Sequence, residues 1–149
     1  MSGLTFNGGE TADQIISNDP FFPNISLKKV RESLRFDGSV SDPRLIEAIE
    51  NAMLDVNAML AVLKSKGASL AALATSQINN KGNTEILYFR AINSYVGAHV
   101  NEKYRSYDST STGQKRAEDL MPTIDEYRRD LRWAIRDLIG SPRMTVELI

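Results

Sequence analysis

The chain has 149 residues, 42% of them hydrophobic and 25% charged, and a net charge of −1, a composition that fits one soluble globular domain with a real core. It contains no cysteine and a single histidine, His99, which excludes disulfides, thiolate metal sites, cysteine nucleophiles and a multi-histidine metal site within one chain. The near-neutral charge also lacks the basic excess of a protein that grips nucleic acid through its phosphates.

Residues 1–25 read as an extended arm. Gly3, Asn7, Gly8, Gly9, Asn18 and Pro20 interrupt any apolar periodicity. Phe21, Phe22 and Pro23 are the exception, two bulky aromatics flanked by prolines that anchor the arm on an apolar surface. Ser26 is a plausible N-cap for a first helix over 26–36, with Leu27, Val30 and Leu34 on one face and Asp37-Gly38 as its stop.

The second helix is the clearest element, over 43–66. Asp42 caps it, Pro43 occupies its first position, and Leu45, Ile49, Met53, Val56, Leu60 and Leu63 form one stripe up to Gly67. Residues 67–83 are ambiguous. Ala68–Ala74 could add a helical turn, and Asn79–Asn83 reads as a loop. Thr84 is expected to cap a third helix to Tyr104. Ile86, Leu87, Phe89, Ile92, Tyr95, Val96 and Val100 cover most of its sides, which places it in the middle of a bundle.

Ser106–Gly113 reads as a loop, followed by a fourth helix over 114–139. Its stripe is Ala117, Leu120, Ile124, Tyr127, Leu131, Ala134 or Ile135, and Leu138. Pro122 lies inside and must kink or divide it. Gly140 and Pro142 stop it. The tail from Arg143 through Met144, Thr145, Val146, Glu147, Leu148 and Ile149 is β-prone and apolar at its end, and no strand partner is evident within the chain. The expected fold is therefore all-α, a small bundle of about four main helices. An N-terminal arm (1–25) and a C-terminal arm (143–149) flank a helical domain (26–142). The expected core comprises Leu45, Ile49, Met53, Val56, Leu60, Ile92, Val96, Ile124, Leu131 and Leu138.

Little of the sequence carries chemistry. His99 has no nucleophile or orienting acid in a recognisable spacing, so a packed or surface role is expected. Glu118-Asp119 and Asp125-Glu126 are helix neighbours that point in different directions and form no clamp. There is no GxxxxGK[ST] or GxGxxG phosphate cradle. A helix-turn-helix over 26–60 is conceivable. Asp37 to Leu60, however, carries Asp37, Asp42, Glu47, Glu50 and Asp55 against Arg44 alone, a helix that phosphates would repel. No apolar run approaches the ~18 residues of a membrane span. The first basic residue is Lys28, and neither the basic start nor the apolar run of an export signal is present, so synthesis and use in the cytoplasm are expected.

Several spaced groups agree, in order, with one known pattern. Phe21-Phe22-Pro23-Asn24-Ile25 is followed by Val30-Arg31, then Arg44-Leu45 with Ala48-Ile49. Arg90-Ala91, Tyr104-Arg105, Asp108-Ser109, Lys115-Arg116-Ala117, Thr123-Ile124-Asp125-Glu126, Arg129-Asp130, Arg132-Trp133-Ala134 and Gly140–Ile149 complete it. The chain from Phe21 onward resembles the head completion (head stabilisation) proteins of temperate tailed phages with contractile tails. Residues 1–20 and 64–84 carry none of the resemblance, and Pro122 departs from the family pattern. The resemblance implies a virion structural protein without catalytic residues or cofactor. It implies an adaptor that forms a ring, twelve-fold, below the portal protein. That ring would stabilise packaged DNA without sequence specificity and prepare the vertex for a neck or tail-terminator protein. The location implied is the host cytoplasm during assembly and the head–tail junction of the virion thereafter, with no membrane partner. Residues 143–149 are then expected to dock on the portal. The alternative from a different class is a small phage-type DNA-binding regulatory protein.

Overall fold

The computed structural model describes residues 13–35, 40–107 and 111–140, with side chains from 13–35, 40–103 and 123–140. The described residues form four α-helices with two short hairpins, in the order β1 (Ile15–Ile16), β2 (Ile25–Ser26), α1 (Leu27–Leu34), α2 (Asp42–Met59), β3 (Gln77–Ile78), β4 (Lys81–Gly82), α3 (Asn83–Tyr107) and α4 (Ser111–Ile139). The fold is thus the expected helical bundle. At 1.5 Å per residue, α3 and α4 reach about 37 Å and 43 Å. They lie against each other along much of their length, while α2 packs on another side of α3 and α1 touches both α2 and α3. The position of α3 between its neighbours explains why its apolar residues are spread around the helix.

The apolar stripe of α2 is buried throughout. Leu45, Ile49, Val56 and Leu60 are fully enclosed, and Met53 and Leu63 nearly so. Ile92 and Val96 of α3 and Leu138 of α4 join them; Ile124 of α4 is also fully buried, whereas Leu131 is half-buried at the core margin. Burying one such side chain stabilises by about 1.5–3 kcal/mol. The largest fully buried side chain is Tyr88, which periodicity alone did not single out.

Element ends differ from the sequence reading in ways that local chemistry explains. Helix α1 stops at Leu34, before Asp37-Gly38. Arg35 takes a left-handed conformation (φ 54°), and its N–H closes onto the carbonyls of Arg31 and Glu32. Residues 36–39 lie outside the described residues. Helix α2 begins one residue early, with Ser41 at the cap and Asp42 inside, where its carboxylate receives the Arg31 guanidinium at 2.5 Å. It ends as an α-helix at Met59, not at Gly67, and continues as a 3₁₀ segment over Ala61–Ser65. The tighter winding repeats every three residues and so keeps Leu60 and Leu63 on the core side.

A second 3₁₀ turn spans Ala71–Leu73. The expected loop at Asn79–Asn83 is instead a hairpin, with Gln77 opposite Gly82 and Ile78 opposite Lys81. Asn79 and Asn80 both have positive φ (51° and 61°), the two-residue turn whose twist suits paired strands. Asn83 opens α3 while its side chain accepts the N–H of Thr75 at 3.0 Å, so Thr84 lies inside the helix and is not its cap. The Thr84 hydroxyl instead donates to the Leu70 carbonyl at 2.7 Å. Helix α3 runs through Tyr107 and α4 starts at Ser111, which leaves little of the expected 106–113 loop. Helix α4 is undivided through Pro122.

Candidate interaction surfaces

The described part of the N-terminal arm folds back as a hairpin. Ile15–Ile16 pairs antiparallel with Ile25–Ser26, which leads directly into α1. Asp13 ties the two together. Its carboxylate accepts the Ser26 hydroxyl at 2.5 Å and the Lys28 N–H at 3.1 Å, while Ser26 Oγ accepts the Lys29 N–H. The Ser26 hydrogen bond, followed by the Lys28 amide and the nearby lysine charges, holds the Asp13 carboxyl below its ordinary value.

Phe21 and Phe22 are buried in the chain's own bundle. Phe22 stacks on Tyr88 with centroids 5.2 Å apart, and Phe21 meets Phe22 edge-on at 5.0 Å. The half-buried Pro23 offers its carbonyl to Asn18 Nδ2 at 2.8 Å. Asn18 is the centre of a polar lock. Its amide also donates to the Tyr88 hydroxyl at 2.8 Å, its Oδ1 accepts from Asn57 at 2.9 Å, and Tyr88 donates to Asn57 Oδ1 at 2.6 Å. Burial pushes the Tyr88 phenol up to about 12, so it serves as a neutral donor and acceptor. Outside the lock, Asp19 pairs with Lys64 at 2.8 Å, and the Phe21 carbonyl receives the Leu70 N–H. These aromatics therefore leave no ring face for a second protein.

The expected portal-docking segment, Arg143–Ile149, lies outside the described residues. His99 stacks on Tyr95 and lines a cleft of about 210 Å³ with Arg44, Glu47 and Lys103. Desolvation and then Lys103 lower its pKa, against Glu47 and Asp55. Among the described residues, no serine, threonine or cysteine lines the cleft. Among the described residues, no group of three or more His, Cys, Asp or Glu could hold a metal ion, and no helix is long and apolar enough to cross a membrane.

Two outward helix ridges were not anticipated. On α2 and its 3₁₀ extension, Glu47, Glu50, Leu54, Ala58, Ala61 and Val62 face solvent, with Leu54 70% and Val62 52% exposed. The available signal was the uncharged run Val56–Leu63, whose apolar residues exceed what one stripe can bury. On α4, Arg129 and Arg132 are exposed and Trp133 and Arg136 half-buried on the side away from Ile124 and Leu138. The Arg129 guanidinium lies 4.7 Å over the Trp133 ring. The ion-paired Arg128 reaches Glu102 of α3 on the flank of this ridge.

Comparison with known proteins gives this arrangement its context. The chain is 34% identical over 142 residues to the head completion/stabilization protein of Escherichia phage P2, covering 92% of this chain and 84% of the relative. No solved structure matches it. The family described as Phage head completion protein (GPL) matches residues 16–149, which includes the polar lock, all four helices and the tail, and the chain belongs to that family.

Proposed function

We propose that this protein is a virion structural component that completes the phage head by forming a ring below the portal. The ring stabilises the packaged DNA and presents a surface for the neck or tail-terminator protein. The observation that carries this reading is family membership over residues 16–149 together with similarity to a named head completion/stabilization protein over 92% of the chain. Long helices with outward ridges support it, because ring subunits need extended lateral faces. A net charge of −1 suits a channel through which DNA passes without being held. In this reading the ring is twelve-fold, and Arg143–Ile149 docks on the portal as an added strand that covers Leu148 and Ile149. The protein works in the host cytoplasm during assembly and then at the head–tail junction.

Removing the protein from its phage tests the proposal. Heads should then fill but lose DNA to added nuclease, and tails should fail to attach. Heads that keep protected DNA and join tails normally would refute it. Truncation after Arg143 tests the tail. The shortened chain should keep its thermal stability and no longer attach to portal-bearing heads, and normal attachment or unfolding would refute portal docking. A DNA regulator would instead bind random duplex tightly with a steep loss of affinity between two salt concentrations.

A further inference from the structure

We infer that copies of this chain join head to tail, with the outward ridge of α2 on one copy seated against the outward ridge of α4 on the next. The inference depends on the ring reading for closure and adds which faces meet. Its first support is position. Helix α3 packs against both α2 and α4, so the two ridges lie on different outer sides of the bundle. Two different faces that complement each other make a heterologous contact, the kind that propagates and can close into a ring.

The second support is composition. Leu54 and Val62, with Ala58 and Ala61 between them, make a continuous apolar strip beside which Glu47 and Glu50 are exposed. The α4 ridge presents the exposed Arg132, the half-buried Arg136, and Arg129, which is paired with Asp130 at 3.1 Å, around Trp133, with the exposed Asp125 one turn before Arg129. Arginine and tryptophan are the side chains that most often carry interface energy, and apolar strips fringed by opposite charge are what they bury against. Charge also argues against the two-fold alternatives. Two α2 ridges laid together would oppose Glu47 and Glu50 to themselves, and two α4 ridges would oppose Arg132 and Arg136, which among the described residues have no ion pair of the Arg129–Asp130 kind to offset them. A second copy therefore fits each ridge better across the pair than on its own kind.

The test uses virions assembled with the full-length chain. Glu50→Arg and Arg132→Glu are each expected to lower the chain retained per head by about tenfold, and the combined swap to restore most of it. The natural chain has no cysteine. Leu54→Cys with Arg132→Cys, treated with a bismaleimide, should therefore give a ladder of linked subunits in those virions. Leu54→Cys alone should give no dimers. Dimers from Leu54→Cys alone, or no ladder from virions in which the chain is imaged as a ring, would overturn the inference and leave the ring reading standing. Absence of the unsubstituted chain from purified heads would overturn both.

Discussion

The hairpin at residues 13–26 and the paired helices α3 and α4 are held to the body of the molecule by different physics. The hairpin is short, and only Ile16, Phe21, Phe22 and Ile25 of its apolar residues are buried. It is fixed by directional bonds in which each partner satisfies another: Asn18, Asn57 and Tyr88 in the lock, and Asp13 with Ser26 at the start of α1. Helices α3 and α4 rely on close approach over many turns, with Gly97 letting the Tyr127 ring in so tightly that a Cβ there would lie 2.7 Å from it. A short segment with little apolar area depends on specific polar geometry, whereas long amphipathic helices draw on redundant burial.

That contrast can be broken first on its helical side. Leu45→Ala in the fully buried α2 stripe should destabilise the fold by about 2–5 kcal/mol, read by urea denaturation. A loss below half of the lower bound would mean that the stripe is not core. Gly97→Ala should cost about 1–3 kcal/mol, because either Tyr127 or the backbone must move. It should lower the global stability together with α3–α4 packing, since the joint is part of the core.

The hairpin side should respond differently. Tyr88→Phe removes the hydroxyl that donates to Asn57 and accepts from Asn18, while the stacked ring under Phe22 remains. Depriving Asn57 Oδ1 of its Tyr88 donor and Asn18 Nδ2 of one of its two acceptors should cost about 1–2 kcal/mol. Amide exchange should rise in residues 13–26 before it rises in α3. Uniform loss across all helices would mean that the hairpin and the helices are held by the same forces.

The smallest effect is a pH dependence. The Asp13 carboxyl is held below 3.8 in the folded chain, first by Ser26, so its stabilisation is present above that ordinary value and is lost as pH falls through the lower folded one. The stability difference between the natural chain and Asp13→Asn should therefore be constant at neutral pH and shrink below about pH 4. A difference that grows on acidification would contradict the assignment.

The same contrast explains what could be read from the sequence. The α2 stripe was legible because Leu45, Ile49, Met53, Val56, Leu60 and Leu63 repeat with the helical period, and all six are buried. The switch to 3₁₀ winding at Leu60 was not, because no glycine or proline marks it. The lock among Asn18, Asn57 and Tyr88 joins residues 31 to 70 positions apart. Such long-range pairing leaves no local signature: Asn18 reads only as a turn former and Asn57 as a polar position of the α2 helix. The β3–β4 hairpin hid for the same reason, since Asn79-Asn80 reads as a loop until its flanks pair. The outward ridges were obscured because a reading of periodicity assigns apolar residues to the core and does not ask how many one face can hold.

The central claim is that this head completion protein works as a head-to-tail ring at the portal vertex. Cryo-electron microscopy of the head–tail junction in purified virions tests it most directly. The expected density is a closed ring of this chain below the portal, with α2 of each subunit against α4 of its neighbour and the C-terminal residues reaching the portal. Two-fold dimers at that position, or no density for the chain in the virion, would contradict it.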